Sequence, residues 1–340
     1  MWIHHENYNE FLNRAWPQNG NLDGNLASLQ TSLGQWNRET FGMVERKKQG
    51  ILNSLEGIQR SSPYPFSNYL CSLELELQNQ LENLLNLEEI KWFQKSRSEW
   101  VTKGDRNTRY YHLKSKARMR RNRVSMLKNE VGKWIDIEED LKALVIGHFK
   151  DLFCSNSPNP TVLTTNATYP SMDPLIAKNL SNIPSGDEIR TALFSMGSYK
   201  APGFDGFPPI FYKSNWGTVG PALVQFVQDF FEGKISVAEA NKTLISLIPK
   251  LPNVELVTHF RPISLCTVHY KCISKVIALK LREVIDGLIS PFQASFIKGR
   301  CIQDNIIVGH EIIHIMNKNR SKRGLMAMKV DLEKAYDRIS

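Results

Sequence analysis

The chain has 340 residues, 41% of them hydrophobic, with a formal charge of +9 and a sequence pI near 9.2. That is enough length for two or three domains with a real core, and the charge points to an acidic partner, most simply nucleic acid. Five cysteines, odd in number and without a CxxC pair, argue against a disulfide scaffold, and no apolar run is long enough to span a membrane. The opening MWIHHENYNE has no signal-peptide pattern. The expectation is an intracellular protein, nuclear or cytoplasmic, with the sequon Asn166-Ala167-Thr168 unused.

Residues 1–20 are polar and Trp-containing, without a clear period. Leu22, Leu26, Leu29, Leu33 and Trp36, then Val44, Ile51, Leu55 and Ile58, fall at spacings of three and four, which predicts an amphipathic helix. Ser61-Ser62-Pro63-Tyr64-Pro65 breaks it. A second helix carries Leu70, Leu73, Leu77, Leu84 and Leu87 at heptad spacing, with Gln80 interrupting the seam. Two long helices about a short break predict an antiparallel hairpin or partial coiled coil, its leucines serving as core.

The charge is local. Residues 95–133 hold thirteen Lys or Arg and three acids (Glu99, Asp105, Glu130), a net +10, so the rest of the chain sums to −1. Aromatics (Trp100, Tyr110, Tyr111, Trp134) interleave with or flank these cations. Cations neutralise phosphates and aromatics stack bases, which makes Arg106, Arg109, Tyr110, Lys114, Lys116, Arg118, Arg120, Arg121 and Arg123 candidate nucleic-acid contacts. A solvated helix face is the alternative.

Gly132 centres a short hairpin over residues 131–137, and 137–153 reads as a helix with His148 packed on its apolar side. Residues 154–174, rich in Ser, Pro, Asn and Thr, mark a linker and a domain boundary. Ser185 with Glu188 forms a capping box for a helix continued by Ile189, Leu193 and Met196 and ended by Gly197. KAPGFDGF, 200–207, makes two tight turns and leaves the backbone open to close approach. Pro208-Pro209 opens a helix over 210–216, and another covers 221–231. LISLIPK, 244–250, and FRPISL, 260–265, read as the strands of a hairpin whose cations are Lys250 and Arg261.

Residues 270–285 form a strongly periodic helix with Gly287 as its stop. Lys298 and Arg300, beside Gly299, either touch nucleic acid or are solvated. His310-Glu311-Ile312-Ile313-His314 fits the H-E-x-x-H pattern on a helix, with Glu333 the only obvious acidic candidate for a third zinc ligand. Residues 325–330 read as a buried strand with Asp331 at its carboxyl end. A carboxylate there needs a salt bridge, a helix N-cap role, or a bound divalent metal.

VDLEKAYDR, 330–338, resembles the first catalytic motif of reverse transcriptases of non-LTR (LINE-type) retrotransposons, especially those of plants. Further blocks upstream resemble the same family in the same order. They are EWVTKGDRNTRYYH, KAPGFDGF with Phe204 where Pro is usual, LIPK…FRPISL, and ISPFQASFIKGRCIQDNI with Ala294-Ser295 inverted. The resemblance implies that Asp331 holds catalytic Mg²⁺ at the end of a palm strand and that Tyr336 lies under the incoming sugar as a steric gate. It implies that Lys250 and Arg261 reach the triphosphate and that the basic segment lies beside the template. The partners implied are an RNA template, a DNA primer and deoxynucleotide triphosphates, with no membrane. The reaction implied is metal-dependent nucleotidyl transfer onto a primer 3′-hydroxyl.

The implied architecture is α+β: a helical hairpin and linker (1–94), a basic template-contacting segment (95–153), a flexible linker (154–182), and the fingers and start of the palm of a right-hand polymerase (183–340). The resemblance covers about 92–340, and the sequence holds no Tyr-x-Asp-Asp motif. A truncated polymerase with negligible activity alone is therefore expected. The alternatives are a non-catalytic RNA-binding remnant acting through 95–133 and a zinc hydrolase using His310, Glu311 and His314. If the basic tract neutralises about six phosphates, RNA affinity falls roughly a thousandfold between about 50 and 200 mM salt. A filter-binding titration over that range checks this, and a flat profile removes the tract from consideration.

Overall fold

The computed structural model describes residues 2–17, 20–42, 44–96, 108–153, 171–290, 292–319 and 324–330, which form two compact units. The first unit comprises Met1–Arg123, Pro184–Pro252 and Arg261–Ile273. It opens with a 3-10 turn, Trp2–His4, and helix α1, Tyr8–Ala15. Helix α2, Leu22–Phe41, starts where the Asn21 side chain accepts from the Gly24 N–H at 2.8 Å. Its Leu22, Leu26, Leu29 and Leu33 are all at most 3% exposed, as their spacing predicts. The expected single helix is two: α2 ends at Phe41 and α3 covers Val44–Gln59.

Helix α4, Asn68–Ser96, packs antiparallel on α3. Lys48 near the start of α3 pairs with Glu88 at 3.0 Å, while Gln59 at its end donates to Glu74 at 2.8 Å. This is the predicted hairpin, but its leucine stripe is only half-buried and Leu75 is exposed. The last turns of α4 meet helix α5, Thr108–Asn122, through Phe93 on Tyr111 (centroids 5.5 Å apart) and Trp92 edge-on to His112 (4.3 Å).

The second unit comprises Val124–Ile183, Asn253–Phe260 and Ser274–Ser340. Strands β1, Leu127–Lys128, and β2, Trp134–Ile135, pair antiparallel with Leu127 opposite Ile135. Gly132 turns the hairpin at φ +84°, where only glycine is unstrained. Lys128 is consumed structurally: its ammonium pairs with Glu255 at 2.6 Å and lies 4.8 Å from the Trp134 ring centroid. Helix α6, Glu138–Phe153, places Glu138, Glu139 and Asp140 in its first turn, matching the helix dipole. Helix α7, Pro174–Ser181, lies inside the stretch read as linker. Asp173 caps it by accepting from Leu175 N–H at 2.7 Å, and Pro174 fits its first turn, a start signal masked by the Pro-rich composition. Residues 154–170 of that linker lie outside the described residues.

The first unit resumes with helix α8, Gly186–Phe194, behind the predicted capping box: Glu188 N–H donates to Ser185 Oγ at 3.2 Å and Ser185 N–H to Glu188 at 2.7 Å. It stops at Phe194, before Gly197, with the Lys213 ammonium on the Phe194 and Met196 carbonyls. Helix α9, Pro209–Ser214, leads to α10, Trp216–Phe231, which begins ahead of the expected Pro221 and carries that proline in its second turn. A short α11, Val237–Ala240, has its own capping box, Ser236 with Glu239. Strands β3, Thr243–Pro249, and β4, Phe260–Cys266, form the expected hairpin. Thr243 Oγ1 lies 3.5 Å from Cys266 Sγ, so the start of β3 sits beside the end of β4 and the pairing is antiparallel. Helix α12, Val268–Leu288, follows at once and runs past Gly287.

The KAPGFDGF loop is fastened to the β4–α12 junction. A Cβ on Gly203 would lie 2.6 Å from Thr267 N and 2.8 Å from Cys266 C, so only glycine admits this approach. The Lys271 ammonium donates to Ala201 O at 2.7 Å, and Gly206 turns the chain at φ +76°. The core of this unit includes Ile189, Leu193, Val219, Leu223, Cys272 and Ile273, none more than 2% exposed.

Helix α13, Ile302–Lys318, belongs to the second unit. The strand expected over residues 325–330 is absent, and Leu325, Met326, Met328 and Val330 are 54–82% exposed. A strand needs a hydrogen-bonding neighbour, and the described residues offer only the β1–β2 and β3–β4 pairs. No helix among the described residues is long and apolar enough to cross a membrane.

Because the atoms facing Gly203 are backbone, Gly203→Ala has no cheap relaxation and should destabilise the protein by on the order of 2–4 kcal/mol. Urea unfolding monitored by circular dichroism measures this, and a loss below about 1 kcal/mol contradicts the close approach.

Candidate nucleic-acid and nucleotide interface

Helix α5, TRYYHLKSKARMRRN, is built as a cationic surface on a narrow foot. Tyr111 and Ser115, one turn apart, are buried. Arg109, Lys114, Lys116, Arg120, Arg121 and, just beyond the helix, Arg123 are exposed. Tyr110 is 46% exposed, with the Lys114 ammonium 5.5 Å from its ring centroid. The helix packs against both α4 and β3.

Arg118 is the exception. Its guanidinium donates to Ser96 O at 3.0 Å and to Lys95 O, satisfying carbonyls at the end of α4 that have no helical partner. Arg118 thus caps the end of α4. Arg106 lies outside the described residues.

Lys250 directly follows β3 and Arg261 is the second residue of β4, and both are exposed. The antiparallel pairing sets the end of β3 beside the start of β4, so the two cations share one end of the hairpin. Since α5 packs on β3, a cationic helix and a cationic hairpin are neighbours within one unit. Asp331 and Tyr336 lie outside the described residues.

Arg300, left between RNA contact and solvation, is structural. It forks onto Asp286 at 2.7 and 3.1 Å and donates to the carbonyls of Asp286, Ser290 and Gln293, closing the end of α12. His310, Glu311 and His314 line a hollow bounded only by residues of α13. Among the described residues no group of three or more His, Cys, Asp or Glu is placed to hold a metal, and Glu333 lies outside them. The zinc-hydrolase alternative is without support.

A buried polar cluster under the KAPGFDGF loop is not signalled by any pattern in the sequence beyond an Asp between two turn glycines. Asp205 is 8% exposed, its Oδ1 has no hydrogen-bond partner, and Tyr212 OH reaches Oδ2 only at 3.5 Å. Burial pushes its carboxyl up to about 6, against the opposing pull of the Phe207 N–H, Lys271 and Tyr212. His269 is 2% exposed against the Phe226 ring, with Nδ1 unpartnered and Nε2 at 3.6 Å from Asp23. Burial pushes it down to about 4, and the Asp23 carboxylate opposes the shift.

These shifts have opposite consequences. The raised Asp205 favours the fold most below its unfolded value near 3.8, and that contribution is lost as pH rises through about 6. The depressed His269 supports the fold above its unfolded value near 6.5, and that support is lost as pH falls toward about 4. Removing the imidazole should therefore flatten the acid limb. Relative to the native chain, His269→Leu should gain on the order of 2–3 kcal/mol between pH 7.5 and 4.5. Paired denaturation curves at the two pH values test this, and parallel losses in both proteins refute it.

Comparison with known proteins adds to this geometry. A family model described as reverse transcriptase (RNA-dependent DNA polymerase) matches residues 248–340, a stretch that begins at the end of β3 and includes β4, α12 and α13. The chain is also similar to the Transposon TX1 uncharacterized 149 kDa protein of Xenopus laevis, 27% identical over 277 residues. That match covers 79% of this chain and 21% of the relative, so the chain spans about a fifth of that protein's length. With 277 residues aligned, the similarity reaches well upstream of residue 248. The match implies a polymerase palm fold, with which the mixed helices and few strands of the described residues are compatible. Residues 248–340 are thus similar to reverse transcriptases and the chain as a whole to a transposon-encoded protein, in agreement with the motifs that resemble the non-LTR, LINE-type family.

Proposed function

We propose that the chain supplies the fingers, the start of the palm and the template-binding segment of a right-hand RNA-directed DNA polymerase. The observation that carries this is the packing of the cationic α5 against β3, whose hairpin bears Lys250 and Arg261 at one end. In this reading the RNA template runs along Arg109, Lys116, Arg120 and Arg121. Arg261 clamps the triphosphate with a permanently charged, bidentate fork, and Lys250 adds a point charge. Tyr336 lies under the incoming sugar. Asp331 is the candidate ligand for Mg²⁺, an assignment that rests on its motif, since no metal cluster occurs among the described residues. Asp331 would hold Mg²⁺ there, which when bound would supply Lewis-acid stabilisation to the primer 3′-hydroxyl and the leaving pyrophosphate.

The Arg118 geometry sharpens the test. The triple variant Arg109→Glu, Arg120→Glu, Arg121→Glu should weaken binding of single-stranded RNA at least tenfold and reduce the salt slope by about three units. Arg118→Ala should leave the slope nearly unchanged and lower stability by about 1–2 kcal/mol, through the loss of the α4 cap. Equal effects on the slope would return Arg118 to the interface and weaken the reading of α5. At the chemical site, any Mg²⁺-dependent primer extension should vanish with Asp331→Ala while RNA binding persists. Extension that survives overturns the assignment of Asp331.

A further inference from the structure

A cavity of about 520 Å³ opens in the first unit between the Trp2–His4 turn, the end of α2, the last turns of α4 and the segment that follows Gly206. This size is typical of small-molecule sites. Its walls carry the half-exposed rings of Trp2 and Trp92, over a floor that includes the buried Tyr8 and Phe211. Its rim is cationic: Lys91 and Lys95 are both exposed, and the Lys95 ammonium stands 5.1 Å from the Trp92 ring centroid. The one lining carboxylate, Glu88, is already paired with Lys48 at 3.0 Å. Trp92 is held edge-on by His112 of α5, which fixes its ring and places the cavity beside the basic helix. Asn37 accepts from Trp2 Nε1 at 2.7 Å, a bond that leaves its amide N–H pair uncommitted to that contact.

Flat aromatic walls, an amide and two exposed cations form the chemistry that recognises a nucleotide. Ring faces stack a base of any identity, the amide meets a base edge, and ammonium groups meet phosphate. We propose that this cavity takes one unstacked nucleobase, with the adjoining phosphate on Lys91 and Lys95. The proposal rests on α5 being a nucleic-acid surface: a strand laid on the helix can turn one base into the neighbouring cavity. Free nucleotide and strand-borne nucleotide share this chemistry.

The test uses the full 340-residue chain and a 12-nucleotide single-stranded RNA carrying 2-aminopurine at one position. Native protein should quench the 2-aminopurine. The pair Lys91→Glu with Lys95→Glu, and separately Ile210→Trp to fill the cavity, should each lower affinity at least fivefold and restore its fluorescence. Circular dichroism checks folding, and if Ile210→Trp fails to fold, the lysine pair decides. Competition with AMP and UMP separates the two sources. Displacement of the quench by millimolar mononucleotide supports the cavity as a free-nucleotide site, and persistence of the quench supports a base presented by a strand. Native-like binding and quenching in both cavity variants, with binding lost in the α5 triple variant, overturns the cavity proposal and leaves the α5 reading intact. No binding of RNA by the native chain overturns both.

Discussion

The contact between Gly203 and the main chain at Cys266 and Thr267 is the constraint on which the first unit turns. It holds the KAPGFDGF loop against the point where β4 ends and α12 begins. Lys271, one turn into α12, fastens the same loop through the Ala201 carbonyl. With that junction held, β4 has a defined direction, β3 pairs to it, and α5 has a strand to lie on. A missing side chain at one position thus transmits order from a turn to a hairpin and then to the cationic helix. Adding favourable contacts elsewhere cannot substitute for it, because the atoms involved are backbone with no rotamers to change.

The same junction explains why two ionisable groups are tolerated in an otherwise apolar core. Asp205 turns inward because the loop is pressed down at Gly203 and reversed at Gly206. His269 turns inward because it follows the β4–α12 corner directly and fills the space beside Phe226. Neither finds a full set of partners. Each shifts toward its neutral form, which is how a low-dielectric interior accommodates such groups. The polar cluster is the local cost of the tight loop, offset by the buried apolar core of the same unit, Ile189, Leu193, Val219 and Leu223 among it.

Much of the helical framework was visible in the sequence, for a simple reason. Periodic leucines such as Leu22, Leu26, Leu29 and Leu33, and the Ser185–Glu188 capping box, are local signals that survive without knowledge of the fold. The β3–β4 hairpin and the close approach allowed by KAPGFDGF were visible too, though what approached Gly203 was not. Three features were hidden because they depend on partners distant in sequence. The strand expected over 325–330 has no ladder among the described residues. Arg118 looks like every other cation in its tract until the end of α4 arrives beside it. Arg300 looks like a surface charge until Asp286 and the end of α12 surround it. The Asp331 and Tyr336 assignments lie outside the described residues and stand on motif and family alone.

Arg118 and Arg300 also carry a meaning for the history of such sequences. Mobile elements leave copies that drift, and exchange of arginine for lysine is among the mildest changes a drifting copy can accept. On the open face of α5, at 109, 120 or 121, the exchange keeps a positive charge on an exposed surface. At 118 and 300 it removes a planar fork that spans several carbonyl oxygens at once, which a single ammonium cannot replace. Sister copies held by selection should therefore mix the two residues freely at the first group and keep arginine at the second. Copies released from selection should show no such distinction. Two helix ends, of no chemical interest in themselves, thereby become markers for selection on the fold.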